Sequence, residues 1–133
     1  MSTALTDLDD ILRSLDVSAR PDRYVFATVP AGSLAMAAAH ASITEAEGVT
    51  IVMTTEEARR HGLDASPTMA WLTLTVHSSL EAVGLTAAFS TALAKAGIGC
   101  NVLAGFYHDH LLVPYNRLDQ AVSVLRALRA EPR

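Results

Sequence analysis

The chain has 133 residues, of which 50% are hydrophobic and 18% are charged, and its formal net charge is −4. This length suits one compact domain, or two very small ones that share a core. The negative charge argues against a nucleic-acid partner, and no apolar run approaches the ~18 residues that a membrane span needs. The single cysteine, Cys100, excludes an internal disulfide framework and, together with an acidic first segment, predicts a cytoplasmic protein.

The first half of the chain predicts a leading helix, a strand, a weak helical segment, two strands and a short helix. The leading helix has Thr6 as its cap and apolar residues at helical spacing, namely Leu8, Ile11, Leu12 and Leu15. The segment from Arg23 to Val29 is β-branched and aromatic, which predicts a strand. Residues 31–41 predict a loop or one helical turn. Strands over residues 42–47 and 50–53 then lead to a short helix capped by Thr54.

The second half predicts a strand, a serine-rich turn, a helix, a hairpin and a last helix. Apolar and polar residues alternate from Trp71 to His77, as in a half-buried strand. A helix with an apolar stripe of Leu85, Phe89 and Leu93 follows, and Gly97 ends it. Strands over residues 98–104 and 110–115 form the hairpin, and Asn116 is the predicted cap of the last helix. Each half therefore has the element order βαββα.

One stretch of the second half carries a family resemblance. The residues SSLEAVGLTAAFSTALAKAGI, with Leu74–Ala88, Ala96–Val102 and Tyr107–Pro114 as the matching segments, resemble the ACT domain, a small ferredoxin-like regulatory module of amino-acid metabolism. The resemblance is closer to a bacterial group of short tandem ACT proteins. It implies an α+β fold of two ferredoxin-like βαββα units, with an antiparallel sheet and helices packed on one face. The expected units are a degenerate N-terminal one, residues 1–66, and a C-terminal one, residues 67–133.

The resemblance also implies a binding site. In ACT domains the turn after the first strand contacts an amino acid, and the second strand of an adjoining unit completes the pocket. Gly84 matches the glycine of that turn. The implied contacts are His77, Ser78, Ser79, Gly84, Leu85, Thr86, Asn101 and Val102.

Elementary chemistry leads to the same segment. A free amino acid needs hydrogen-bond donors for its carboxylate and acceptors for its ammonium group. Backbone N–H groups at a helix start supply such donors, and Asp109 is a candidate to neutralise the ammonium. The predicted function is a non-catalytic regulatory or sensor module that binds an amino acid or a similar small polar metabolite. No catalytic residue, metal ligand or cofactor is predicted.

Two alternatives remain open at this point. One is a structural or protein-interaction module with a vestigial pocket. The other is a metal-binding protein that uses the segment His108-Asp109-His110.

The composition also predicts an assembly. A chain this apolar, with the edge strands of a small sheet, is expected to form a homodimer or a higher even oligomer. The C-terminal half has no strand of its own after Leu128. We therefore expect a strand from the first half, such as Arg23 to Val29, to take that place in its sheet.

Overall fold

A computed structural model of the protein describes residues 7–76 and 83–129. Its helices are α1 (Leu8–Ser14), α2 (Thr55–Arg60), α3 (Leu85–Lys95) and α4 (Leu118–Ala127), with 3₁₀ turns at Leu34–Ala38 and Tyr115–Arg117. Its strands are β1 (Val17–Ala19), β2 (Tyr24–Val29), β3 (Ala41–Glu45), β4 (Gly48–Thr54), β5 (Met69–Leu74), β6 (Asn101–Ala104) and β7 (Asp109–Pro114). None of the described helices is long and apolar enough to cross a membrane.

The chain divides into two compact units. One, the discontinuous unit, consists of Met1–Arg20 and Ala70–Arg133, and the other, the inserted unit, is Pro21–Met69. The residues of α1 and β1 thus belong with the C-terminal part of the chain. The expected boundary between residues 66 and 67 remains a prediction.

The sheet of the discontinuous unit has the strand order β1-β5-β7-β6. Strand β1 runs antiparallel to β5, with Val17 opposite Leu74 and Ala19 opposite Leu72. It therefore fills the place for which the C-terminal half has no strand. The expectation that the first half supplies this strand is confirmed. The suggested segment, Arg23 to Val29, pairs along its length with β4 and meets β5 only where Tyr24 lies opposite Met69, so β1 covers the rest of that edge. Three residues are too few to show the alternation that marks a strand in sequence.

One face of this sheet packs against α1, α3 and α4. The predicted stripe of Leu85, Phe89 and Leu93 lies in this core and is confirmed. The sheet contributes Leu72 and Leu74 of β5 to the same core. The other core residues are Ile11, Leu12, Leu15, Val17, Ala70, Val76, Ile98, Leu111, Val113, Ala121, Leu125 and Leu128. Burial of each large apolar side chain stabilises the fold by ~1.5–3 kcal/mol.

Two helix starts differ from the prediction. The N-cap of α1 is Asp7, whose carboxylate accepts from the Asp10 N–H at 3.1 Å, so the assignment of this cap to Thr6 is wrong. A 3₁₀ turn precedes α4, so Asn116 is not its cap. The neighbouring Arg117 instead donates to the carbonyls of Ala96 and Gly97, which satisfies the C-terminal end of α3.

The inserted unit has the strand order β3-β4-β2, and its strands are antiparallel. Its last residue, Met69, pairs with Tyr24 at the start of β2. The weak helical segment is the 3₁₀ turn, capped by Ser33. Thr54 caps α2 as predicted, because its hydroxyl accepts from the Glu57 N–H at 3.2 Å. A core of small and β-branched residues lies on one face of the sheet: Val25, Val29, Ala35, Val49, Ile51, Met53 and Ala58.

Candidate functional site

The turn before α3 is the part of the expected site that the fold positions most clearly. Its residues His77, Ser78 and Ser79 lie outside the described residues. Gly84 is the N-cap of α3, with φ 101° and ψ −17°. An L side chain rarely adopts this conformation, so a positive φ accounts for the glycine. A Cβ at this position would also lie 3.0 Å from Cδ2 of Leu8.

The N-terminal end of α3 has no side-chain cap among the described residues. The first hydrogen bond of the helix runs from the Ala88 N–H to the Gly84 carbonyl at 2.9 Å. The N–H groups of Leu85, Thr86 and Ala87 therefore have no partner within the helix. The Leu85 side chain is 5% exposed and packs in the core, so only its backbone faces this end, whereas Thr86 is exposed.

Asp109 is a half-buried carboxylate at the start of β7. Burial raises the pKa of this carboxyl above its ordinary value, and the nearby His110 and His108 lower it by less. No described residue forms a hydrogen bond or an ion pair with the carboxylate. Its neighbour His110 contacts Thr73 near the end of β5, so Asp109 lies at the end of the sheet from which the chain leaves towards α3.

Asn101 and Val102 lie on the edge strand β6, away from that end. Asn101 pairs with Leu112, three residues along β7 from Asp109, which corresponds to about 10 Å. Its amide donates to the Leu112 carbonyl at 3.4 Å. Within the discontinuous unit, the fold does not bring Asn101 next to Asp109. A pocket that uses Asn101 of an adjoining unit stays a prediction.

A second polar cluster lies on the face of the same sheet that is opposite to the helices. Nδ1 of His110 lies 3.1 Å from Nε1 of Trp71 and 2.9 Å from Oγ1 of Thr73. The Arg20 guanidinium carbon is 3.8 Å from the centroid of the Trp71 ring. Trp71 and His110 are 39 positions apart in sequence, and Arg20 precedes both. Alternation along β5 places Trp71 and Thr73 on one face, but no local pattern connects them with His110.

An apolar groove of about 660 Å³ runs between α1, α3 and α4. Its floor consists of small residues of α3, and Thr91 and Lys95 are the polar side chains in its lining. Of the expected site residues that the structure describes, Gly84 lines it. Because an amino acid needs several polar partners, this groove fits the expected ligand poorly.

The described residues contain no group of three or more His, Cys, Asp or Glu side chains placed to hold a metal ion. His110 uses Nδ1 within the Trp71 cluster, and Nδ1 of His108 is buried without a hydrogen-bond partner among the described residues. Cys100 is half-buried against the core, and burial raises the pKa of its thiol, which disfavours the nucleophilic thiolate.

Comparison with protein families gives two consecutive matches. One ACT-domain model matches residues 3–70, and a second ACT-domain model matches residues 68–127. The chain belongs to the ACT-domain family. ACT domains are regulatory modules, so the family assignment supports a ligand-binding regulatory role in general terms. The resemblance to tandem ACT proteins and the tandem α+β fold, both expected from the sequence, are confirmed.

Solved structures agree with the ACT fold. A Vibrio cholerae protein of unknown function, described as a possible transport protein, is 42% identical, with a TM-score of 0.82 over 92% of this chain and 95% of that one. The Agrobacterium tumefaciens protein Atu0741 is 18% identical, with a TM-score of 0.64 over 86% and 89% of the two chains. The regulatory subunit of aspartate kinase from Thermus flavus is 10% identical, with a TM-score of 0.62 over 85% and 96%. No curated protein matches the chain.

The ACT assignment explains the order of strands and helices in the discontinuous unit. The ferredoxin-like fold consists of two βαβ halves, with four strands in the sheet. In this chain β5, α3, β6, β7 and α4 follow one another, and the strand that completes the set, β1, comes first in sequence. The discontinuous unit, which contains this sheet, is thus interrupted in sequence by the inserted unit.

Proposed function

We propose that this protein is a non-catalytic regulatory module that binds a free amino acid or a similar small polar metabolite at the start of α3. The observation that carries the proposal is the N-terminal end of α3 behind Gly84, which no described side chain caps. Three backbone N–H groups and the positive end of the helix dipole favour a carboxylate there. His77, Ser78, Ser79, Leu85 and Thr86 belong to the proposed contacts.

Asp109 supports the binding of the ligand's ammonium group. A carboxylate that is half-buried and has no partner among the described residues lowers the stability of the unliganded fold. An ammonium group placed beside it offsets this desolvation by a charge-assisted hydrogen bond. A zwitterion whose ammonium and carboxylate groups are attached to one carbon matches the N–H groups at the start of α3 and a carboxylate at the same end of the sheet.

A thermal-shift screen of the twenty amino acids tests the proposal. Ligand at a hundred times Kd adds ~2.7 kcal/mol to the free energy of unfolding. We expect at least one amino acid to stabilise the full chain at pH 7. If no amino acid raises the melting temperature, the proposal is wrong and a structural role is favoured. A response to zinc alone would favour the metal-binding alternative.

The substitution Asp109→Asn separates the contribution of this carboxylate to ligand affinity from its effect on the stability of the fold. Because burial raises the pKa of Asp109, the ionised form is disfavoured in the folded state. The stability contributed by the protonated form is lost as the pH rises through the folded-state pKa. We expect D109N to melt at a higher temperature than the native chain at pH 7 and to bind the amino acid about 10- to 100-fold more weakly. The control D64N changes an exposed carboxylate and should alter neither property. Equal affinity of D109N and the native chain would remove Asp109 from the site.

A further inference from the structure

The apolar groove between α1, α3 and α4 exists because of how α3 distributes its side chains. Its large residues, Leu85, Phe89 and Leu93, lie in the core that packs on the sheet. The residues of α3 and its N-cap that line the groove are small, apart from Lys95 in the last turn: Gly84, Ala87, Ala88, Thr91 and Ala92. Protein interiors are close-packed, so these small residues leave a space between the helices that the fold itself does not fill.

The walls of the groove are fixed by the core. Leu12 of α1 is 2% exposed and Leu128 of α4 is 4% exposed, and both belong to the core cluster as well as to the lining. The groove cannot close unless these core side chains move. Its volume of about 660 Å³ lies in the range of ~300–1,000 Å³ that is typical of small-molecule sites.

One end of the groove is cationic. Lys95 is the single lysine of the chain, and it is exposed without an ion pair or hydrogen bond to any described residue. Thr91, one turn earlier on the same face of α3, is the other polar side chain of the lining. Arg117 donates to the carbonyls of Ala96 and Gly97, which offsets the negative end of the helix dipole beside Lys95.

The other end of the groove is acidic. A Cβ at Gly84 would lie 3.0 Å from Cδ2 of Leu8, so α1 begins beside the start of α3. The first residues of α1 and its cap include three carboxylates: Asp7, Asp9 and Asp10. Helix α3 has 11 residues and is therefore about 16 Å long, which separates this end from Lys95. The charges thus favour a carboxylate at Lys95 and disfavour one at Leu8.

We propose that the groove binds a free fatty acid of medium chain length, with its alkyl chain between the three helices and its carboxylate at Lys95 and Thr91. A linear apolar molecule with one negative charge at one end matches an apolar groove with one cation at one end. The proposal does not depend on the amino-acid site, which lies at the opposite end of α3.

Isothermal titration calorimetry of the full chain with sodium hexanoate, octanoate and decanoate tests the proposal at pH 7.5, below the micelle concentrations. We expect one site and an affinity that rises about 10-fold for each two methylene groups, because each group leaves water. Decanol has an equally long chain without the charge and should bind about threefold more weakly than decanoate, since an exposed ion pair contributes little. The absence of saturable decanoate binding, or equal affinity for hexanoate and decanoate, overturns the proposal.

The substitution Ala87→Leu tests the groove itself. Ala87 is exposed and lines the groove, so a leucine there occupies the space without displacing the core. We expect A87L to bind decanoate at least 10-fold more weakly and to melt within a few degrees of the native chain. The control A94L makes the same change at an exposed alanine of α3 outside the lining, and its affinity should stay within about twofold.

The substitution Lys95→Glu tests the charge. We expect at least a 10-fold loss of decanoate affinity in K95E, because attraction becomes repulsion. The control R59E makes the same change of net charge at an exposed residue of α2 and should stay within about twofold of the native chain. Native affinity in both A87L and K95E would contradict the proposed site.

Two further measurements distinguish other occupants of the groove. Reductive ¹³C-methylation labels the Lys95 amine, whose resonance should shift with decanoate at the same Kd as the calorimetry gives. An unshifted resonance overturns the placement of the carboxylate. Sedimentation should give the same mass with and without decanoate. Conversion of an assembled chain into monomers by decanoate would mean that a second copy occupies the groove, and competition by an amino acid would mean that the groove is the amino-acid site. Either result overturns the proposal.

Discussion

At the scale of single residues, Gly84 and Gly99 show how backbone conformation decides what a glycine does. Gly84 has a positive φ at the start of α3, and Leu8 covers its Cα. Gly99 has no such φ, and a Cβ there would meet nothing within 4 Å. The two positions therefore form a matched pair within one unit.

Gly84→Ala should destabilise the unliganded chain by ~1–3 kcal/mol, chiefly through backbone strain, because the end of the Leu8 side chain can shift. Gly99→Ala should change stability by less than about 1 kcal/mol in either direction. Urea denaturation of both variants measures the difference. Equal stabilities would show that the strained conformation at Gly84 does not contribute. Amino-acid affinity of the folded Gly84 variant, measured alongside, reports whether the turn also contacts ligand.

At the scale of elements, the discontinuous unit depends on two short N-terminal segments. Helix α1 buries Ile11 and Leu12, and its C-cap residue Leu15 is also buried, each at 2% exposure or less. Strand β1 covers the edge of β5. Arg126 of α4 links this region to the C-terminal part. It binds the Asp16 carboxylate at 3.1 Å and the Val17 carbonyl at 3.2 Å.

A fragment of residues 67–133 should therefore fail to melt cooperatively, because it lacks α1 and β1. Loss of three buried leucine or isoleucine side chains alone removes several kcal/mol, at ~1.5–3 kcal/mol each. Residues 7–20 attached behind residue 129 by a flexible Gly/Ser linker should restore a cooperative transition, since Leu8 at the start of α1 and Leu128 at the end of α4 line the same groove. Calorimetry of both chains measures whether each one melts cooperatively. A cooperative melt of the 67–133 fragment would show that β1 is dispensable.

The elements also show how far local patterns reach. The stripe of α3, the Thr54 cap and the alternation of β5 were predictable because each depends on neighbours within one or two turns or along one strand. The helical stripes and the strand alternation were enough to predict the element order βαββα. The caps at Asp7 and Arg117 were not predicted, because Thr6 and Asn116 are themselves favoured capping residues and the position of the cap depends on where the preceding chain turns.

At the scale of the whole molecule, β6 is an unprotected edge. It is the last strand in the order of its sheet, it contains no charged residue, and Val102 within it is 37% exposed. Such edges present free N–H and C=O groups to a second chain.

We expect sedimentation at micromolar concentration to give a species of twice 14.1 kDa or a larger even multiple. Val102→Lys should shift the equilibrium towards the monomer by at least tenfold, because an edge lysine opposes strand pairing. The control Val83→Lys places the same charge at another exposed valine and should leave assembly unchanged. A native chain that sediments only as 14.1 kDa would refute the assembly.

The sequence by itself determined the order of the longer helices and strands and the turn at Gly84, because apolar periodicity and the glycine are local properties of the chain. The resemblance to the ACT family came from a motif in the second half. Tertiary structure alone decided that Val17–Ala19 completes the sheet, that Asp109 lacks a partner among the described residues, and that Trp71 donates to Nδ1 of His110. Each of these depends on residues tens of positions apart. A strand's pairing partner, a side chain's desolvation and a hydrogen bond across a sheet depend on where the backbone returns, and local spacing does not encode that.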